Sequence, residues 1–251
     1  MRLYRLSIFF GMSCVVALIG CVANTDETES HTSLVPGEKK LEPGPVAEEK
    51  KVIVGKNITL VIQGDKRYVR VNTEVCLREG MLEQLVTKKR MKEHEAILAA
   101  DIDARELHLA LTLAGAEPGK TVQFRPNLVP PSGTTIKIFL EYQSKDKIVR
   151  VPAQEWIRNI KTKKNFHTDW VFAGSILIQD PLDNTKKPYY CANDGDVITV
   201  VNFDGACLDV PFLSTKDNAE LDFEAHTDRI PPLKTAVTVI LEPVQEKKKK
   251  K

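Results

Sequence analysis

Between residues 52 and 244 the chain repeats one pattern: short stretches in which apolar and polar residues alternate or β-branched residues cluster, separated by turn chemistry. These stretches cover 58–62, 68–77, 82–87, 121–124, 135–142, 148–151, 189–192, 197–202 and 236–242, and each predicts a strand. Gln63-Gly64-Asp65-Lys66 and Asn193-Asp194-Gly195-Asp196 read as turns, because Gly, Asn and Asp tolerate positive φ. The second turn predicts a hairpin joining 189–192 to 197–201. The period changes over 103–114. Asp103 can cap a helix, Glu106 stands at capping-box spacing, Leu107, Leu111 and Ala114 share a face, and Gly115 stops it. A second short helix is expected after Pro152, burying Trp156. The sum is an α+β fold: a single β-rich domain over 52–244, mostly antiparallel sheet with one main covering helix at about 103–114.

The two ends break the pattern. Arg2 and Arg5 precede a largely apolar run over 6–19, too short to span a bilayer comfortably, which predicts a signal peptide over 1–20. Leu18-Ile19-Gly20-Cys21 resembles the bacterial lipobox, which implies cleavage before Cys21, lipidation of that cysteine and anchoring to a membrane. Residues 21–51 are rich in Thr, Glu, Ser, Pro, Gly and Lys and read as a flexible tether, with a mean reach of about 30 Å. Val22, where Asp would resemble an inner-membrane retention signal, favours delivery to the outer membrane. Residues 245–251 form a basic tail ending in five lysines. Charge argues against a nucleic-acid partner. The chain carries +2; removing Arg2 and Arg5 leaves 0, and setting Lys247 to Lys251 aside leaves −5. A nucleic-acid module carries its basic face on the domain itself, whereas a polybasic tail suits solvent or an anionic lipid surface.

Candidate chemistry is sparse. His94-Glu95, with Asp101 and Asp103 close behind, and His167-Thr168-Asp169 are His and carboxylate pairs that would suit a divalent metal if the fold brought them together. HExxH is absent, since position 98 is Leu, and His94 bonded to a backbone or carboxylate group serves as well. Asp180, Asp183, Asn184, Asp194 and Asp196 offer oxygens of the kind calcium takes, without EF-hand spacing. Cys76, Cys191 and Cys207 remain after export. A Cys191 to Cys207 disulfide is one reading, and buried small hydrophobes are the other. Gly174-Ser175 lacks the GxSxG elbow of serine hydrolases.

Longer runs carry a resemblance. Lys92-Glu93-His94-Glu95-Ala96-Ile97-Leu98, Asp101-Ile102-Asp103-Ala104 and the helix with His108 resemble the YdjY-type domain family of bacterial envelope proteins. So do Val75-Cys76-Leu77-Arg78-Glu79-Gly80, Trp170-Val171-Phe172-Ala173-Gly174-Ser175, Asn193-Asp194-Gly195-Asp196-Val197-Ile198 and Asn202-Phe203, most closely in versions common in planctomycete lipoproteins. The resemblance implies no activity. Some related proteins look like accessories of iron-sulfur electron transfer, but this chain has no CxxCxxC run. The expected function is a membrane-anchored envelope lipoprotein whose domain binds a protein or small ligand, with catalysis not required. The alternatives are a metal-binding or metal-dependent site on His94, Glu95, His167 and Asp169, and an electron-transfer accessory using its cysteines.

Overall fold

A computed structural model describes residues 48–214 and 223–245. The signal peptide, Cys21, most of the tether and residues 246–251 lie outside the described residues. Strands at Lys66–Val75, Thr135–Ser144 and Ala236–Pro243 pair antiparallel, with Ala236–Pro243 in the middle. Their patterns explain why. Val69, Val71 and Val75, Ile136, Ile138 and Leu140, and Val237, Val239 and Leu241 recur with period two, and all are buried.

From Thr135–Ser144 the sheet continues through Trp170–Phe172, Leu208–Asp209, Ile198–Thr199, Gln84–Lys88 and Ala96–Ala100. It then returns to its starting strand, where Glu74 and Val75 stand opposite Ala99 and Leu98. The expected α+β arrangement of a mostly antiparallel sheet under a helix is therefore corrected. With 44% strand and 11% helix, the protein is mostly β, and its sheet is a closed eight-strand barrel with one α-helix among the described residues. Two ring pairings, Ile198 to Leu208 and Gln84–Lys88 to Ala96–Ala100, are parallel. Alternation along single strands is the same in an open and a closed sheet, so closure was not written in the local pattern.

The helix Ala104–Leu113 packs against an antiparallel extension made by Glu49–Gly55 and Ile58–Gln63, and its Leu107 and Leu111 join the common core. Asp103 caps it by accepting from the Arg105 N–H at 2.9 Å. Glu106 lies against Gly55. At the far end the Gly115 N–H donates to Thr112 O and the Ala116 N–H to Leu111 O, a Schellman stop. The short helix after Pro152 is a single 3-10 turn, Ala153–Trp156, with Trp156 in the core. The predicted hairpin at 193–196 is absent. Cys191–Asp194 is a 3-10 turn, Tyr189–Tyr190 pairs with Leu177–Ile178, and Ile198 pairs with Val86 and Leu208. Residues 121–124 likewise form no strand, only one bridge from Gln123 to Val129.

Candidate functional site

The helix carries one polar residue in its buried stripe. Ala104, Leu107 and Leu111 are buried, and His108 shares their spacing. Its Nδ1 lies 2.9 Å from the Tyr190 hydroxyl, which lies 2.9 Å from Gly174 O and 3.6 Å from Cys207 Sγ. Gly174 O accepts from the Tyr190 hydroxyl, and the imidazole tautomer sets which way the His108–Tyr190 bond runs. Every group here is held uncharged. Burial lowers the His108 pKa, with the Gly174 carbonyl pulling the other way. Burial also raises the Tyr190 hydroxyl far above its ordinary value and pushes the Cys207 thiol up to about 12. Gly174 is fixed by sterics: its φ is 88°, and a Cβ there would stand 2.8 Å from the Pro118 side chain.

Next to this neutral knot lies a charged one. Asn193 Oδ1 accepts from the Ala104 N–H at 3.0 Å and from Lys88 Nζ at 3.2 Å, while its amide donates to Asp103. The Arg105 guanidinium, with help from Asn193, holds the Asp103 carboxyl well below the usual range. Asp196 Oδ1 accepts from Gln84 at 2.9 Å and Lys92 at 2.7 Å, and Lys92 also lies 4.2 Å over the Phe203 ring. Ser175 Oγ donates to Gly205 O and accepts from the Ala192 N–H. Of the sequence runs that carried the family resemblance, Asp101–Ala104, Trp170–Ser175 and Asn193–Ile198 meet around the Cys191–Asp194 turn, while Val75–Gly80 lies elsewhere, with Arg78 donating to Ile230 O and Thr227 O. His108 was findable from the helical stripe; Tyr190 and Asn193 carried no signal, since their partners are 82 and 89 residues away.

The residues singled out for chemistry are dispersed. His94 is exposed in a turn, with Glu95 3.7 Å away. His167 is exposed too, and Asp169 accepts from Gln154 at 2.9 Å. Among the described residues no group of three or more His, Cys, Asp and Glu side chains is placed to hold a metal. Asp180 is paired with Lys186 and Asp194 with Tyr189, while Asp183 accepts from Thr185. Cys191 and Cys207 are free thiols, as is Cys76, whose Sγ donates to Ala96 O. Burial pushes Cys76 up to about 12 and raises Cys191, so thiolate, the reactive form, is scarce at all three.

Two segments outside the barrel strands expose large apolar residues that sequence reasoning did not single out. One, the arm 120–131, exposes Phe124, Leu128 and Val129; the other, the hairpin 176–190, exposes Leu177, Ile178 and, at 95%, Leu182. Their roots touch at Pro118 and Gly174, and Gly133 packs on Phe172 O. Neighbouring exposed aliphatics of this kind mark an interaction surface more often than an accident of packing. Among the described residues no helix is long and apolar enough to cross a membrane. The family model of the YdjY domain matches residues 60–242, well over half the chain. No curated protein and no solved structure matches it.

Proposed function

The chain belongs to the YdjY domain family, and from that premise we propose that it is a membrane-anchored envelope lipoprotein whose barrel is a binding module rather than an enzyme. The observation that carries this reading is the pair of adjacent apolar arms, 120–131 and 176–190, rooted on a rigid closed barrel. The groups best placed for chemistry favour the same reading. His108, Tyr190 and Cys207 are each kept in the neutral form and spend their hydrogen bonds on one another and on Gly174, which suits holding a shape better than moving protons. The anchor is Cys21, with the outer membrane as destination, and the tether gives the module a reach of about 30 Å from it.

Two measurements test the two halves of the proposal. Cys21→Ser should abolish acyl labelling and release the protein from membrane fractions; unchanged labelling and retention would refute the anchor. A photo-crosslinking residue at Leu128 or Leu182 should give discrete adducts in intact cells, while one at Lys147 on the far sheet edge should give none. Adducts from Lys147 alone would move the binding surface elsewhere.

A further inference from the structure

The arms share a rim of the barrel with both passages of the chain into the described domain. The chain enters at Glu48, and Glu49 stands opposite Gln63. It leaves after Ala236–Pro243, where the Val244 N–H donates to Thr135 O at 2.8 Å. Gln245 then lines a groove of about 440 Å³ together with Gln63, Lys66, Arg67 and Tyr68. Thr135 is also where the 120–131 arm returns to the sheet, and the hairpin is rooted beside that arm through Gly174 and Pro118. Both described ends of the domain, at Glu48 and Gln245, therefore stand at the rim that grows the arms.

Charge on this rim is mixed with a positive balance. The arms carry Lys120, Arg125, Lys186 and Lys187 against Asp180 and Asp183, four minus two, or +2, with Lys186 paired to Asp180. The groove sets Lys66, Arg67 and Arg150 against Asp65 and Glu242, three minus two, or +1, and the sequence continues to Lys247 to Lys251. Aliphatic tips flanked by lysine and arginine, on a chain that a lipid already holds close, match an anionic bilayer surface: apolar side chains enter the headgroup boundary and cations stay among the phosphates.

Building on the anchored reading above, we infer that the surface these arms bind is the bilayer itself, with the rim of Leu128 and Leu182 facing the lipid and the opposite rim facing away. The opposite rim is marked by Leu233, next to Lys234, whose N–H donates to Val75 O at the far end of Lys66–Val75. The test uses the intact acylated chain on vesicles of phosphatidylcholine with phosphatidylglycerol, part of it brominated. Tryptophan is introduced singly as Leu128→Trp, Leu182→Trp and Leu233→Trp; the native Trp156 and Trp170 are buried and give a constant background. Emission from positions 128 and 182 should shift to the blue and be quenched, that from 233 should not, and raising the salt should weaken the effect. If the acylated protein is bound but 128 and 182 stay unquenched, or 233 is quenched equally, the inference is overturned and the anchor stands. Arms shielded by a bound envelope protein instead of lipid overturn it in the same way. If Cys21 carries no acyl mass and the chain does not join vesicles, the anchored reading fails, and this inference with it.

Discussion

Two sectors of the barrel, three strands each and joined by Gln84–Lys88 and Ala96–Ala100, are built by different means. In one sector, Lys66–Val75, Ala236–Pro243 and Thr135–Ser144 are eight to ten residues long and are held by continuous ladders over an aliphatic face. In the other, Trp170–Phe172, Leu208–Asp209 and Ile198–Thr199 offer two or three residues each, too few for ladders to fix a register. Buried side chains take over there. Trp170 Nε1 donates to Thr199 O at 2.6 Å, and Asp209 accepts from Thr199, Asn202, Val210 and Phe203. Ser214 and Asn202 exchange a further pair of bonds. Where strands are short, specificity passes from the backbone to polar side chains; the 176–190 hairpin follows one of these short strands, whereas the 120–131 arm leads into the long strand Thr135–Ser144.

The comparison can be broken hardest at Trp170. Trp170→Ala removes a fully buried ring and the bond to Thr199, and should cost about 3–5 kcal/mol in urea unfolding. Leu140→Ala in the ladder sector should cost a similar amount but leave the bonds around Asp209 protected from hydrogen exchange, whereas Trp170→Ala should expose them. Equal exposure in both variants would mean that the sectors do not differ. Asn193→Ala leaves the buried Ala104 N–H without a partner and should cost about 2–3 kcal/mol, with exchange rising at the start of the helix first. A uniform rise across the ladder sector would contradict the division.

Asp209 gives a pH test. Burial raises its carboxyl from 3.8 to about 7, against the pull of its donors. Its folded pKa is raised, so the unfolded chain releases the proton first as pH rises. Stability is then highest near and below pH 4, falls as pH climbs to about 7, and is flat above that. Asp209→Asn should remove this slope; an unchanged slope would assign it to other groups. The smallest effect belongs to Tyr190→Phe, which loses the bonds to Gly174 and His108 and should cost about 1–2 kcal/mol without altering binding by the arms.

The same division explains what could be read from residue order alone. The long strands were legible: 58–62, 135–142 and 236–242 fall within Ile58–Gln63, Thr135–Ser144 and Ala236–Pro243. So were the Asp103 cap, the Gly115 stop and the turn that buries Trp156. These are encoded within a few residues. The short strands were legible only in part: 197–202 contains Ile198–Thr199, but Leu208–Asp209 fell in no predicted stretch, because two residues carry no period, and ring closure depends on Glu74 and Val75 meeting Ala99 and Leu98. His94 beside Glu95, and His167 beside Asp169, offered a metal site only if the fold brought them together, which adjacency in sequence does not decide; both histidines are exposed, and among the described residues no group of three or more His, Cys, Asp and Glu side chains is placed to hold a metal. The arms were hidden by their composition, since residues 121–124 read as one more strand until their exposure was seen.

The most direct test of the central claim, that the arms are the working surface, is hydrogen exchange on the intact acylated chain before and after it engages anionic vesicles. Protection should rise over 120–131 and 176–190 while the ladder of Lys66–Val75 with Ala236–Pro243 stays unchanged. No change in the arms, or a change centred on the opposite rim around Leu233, would contradict the account.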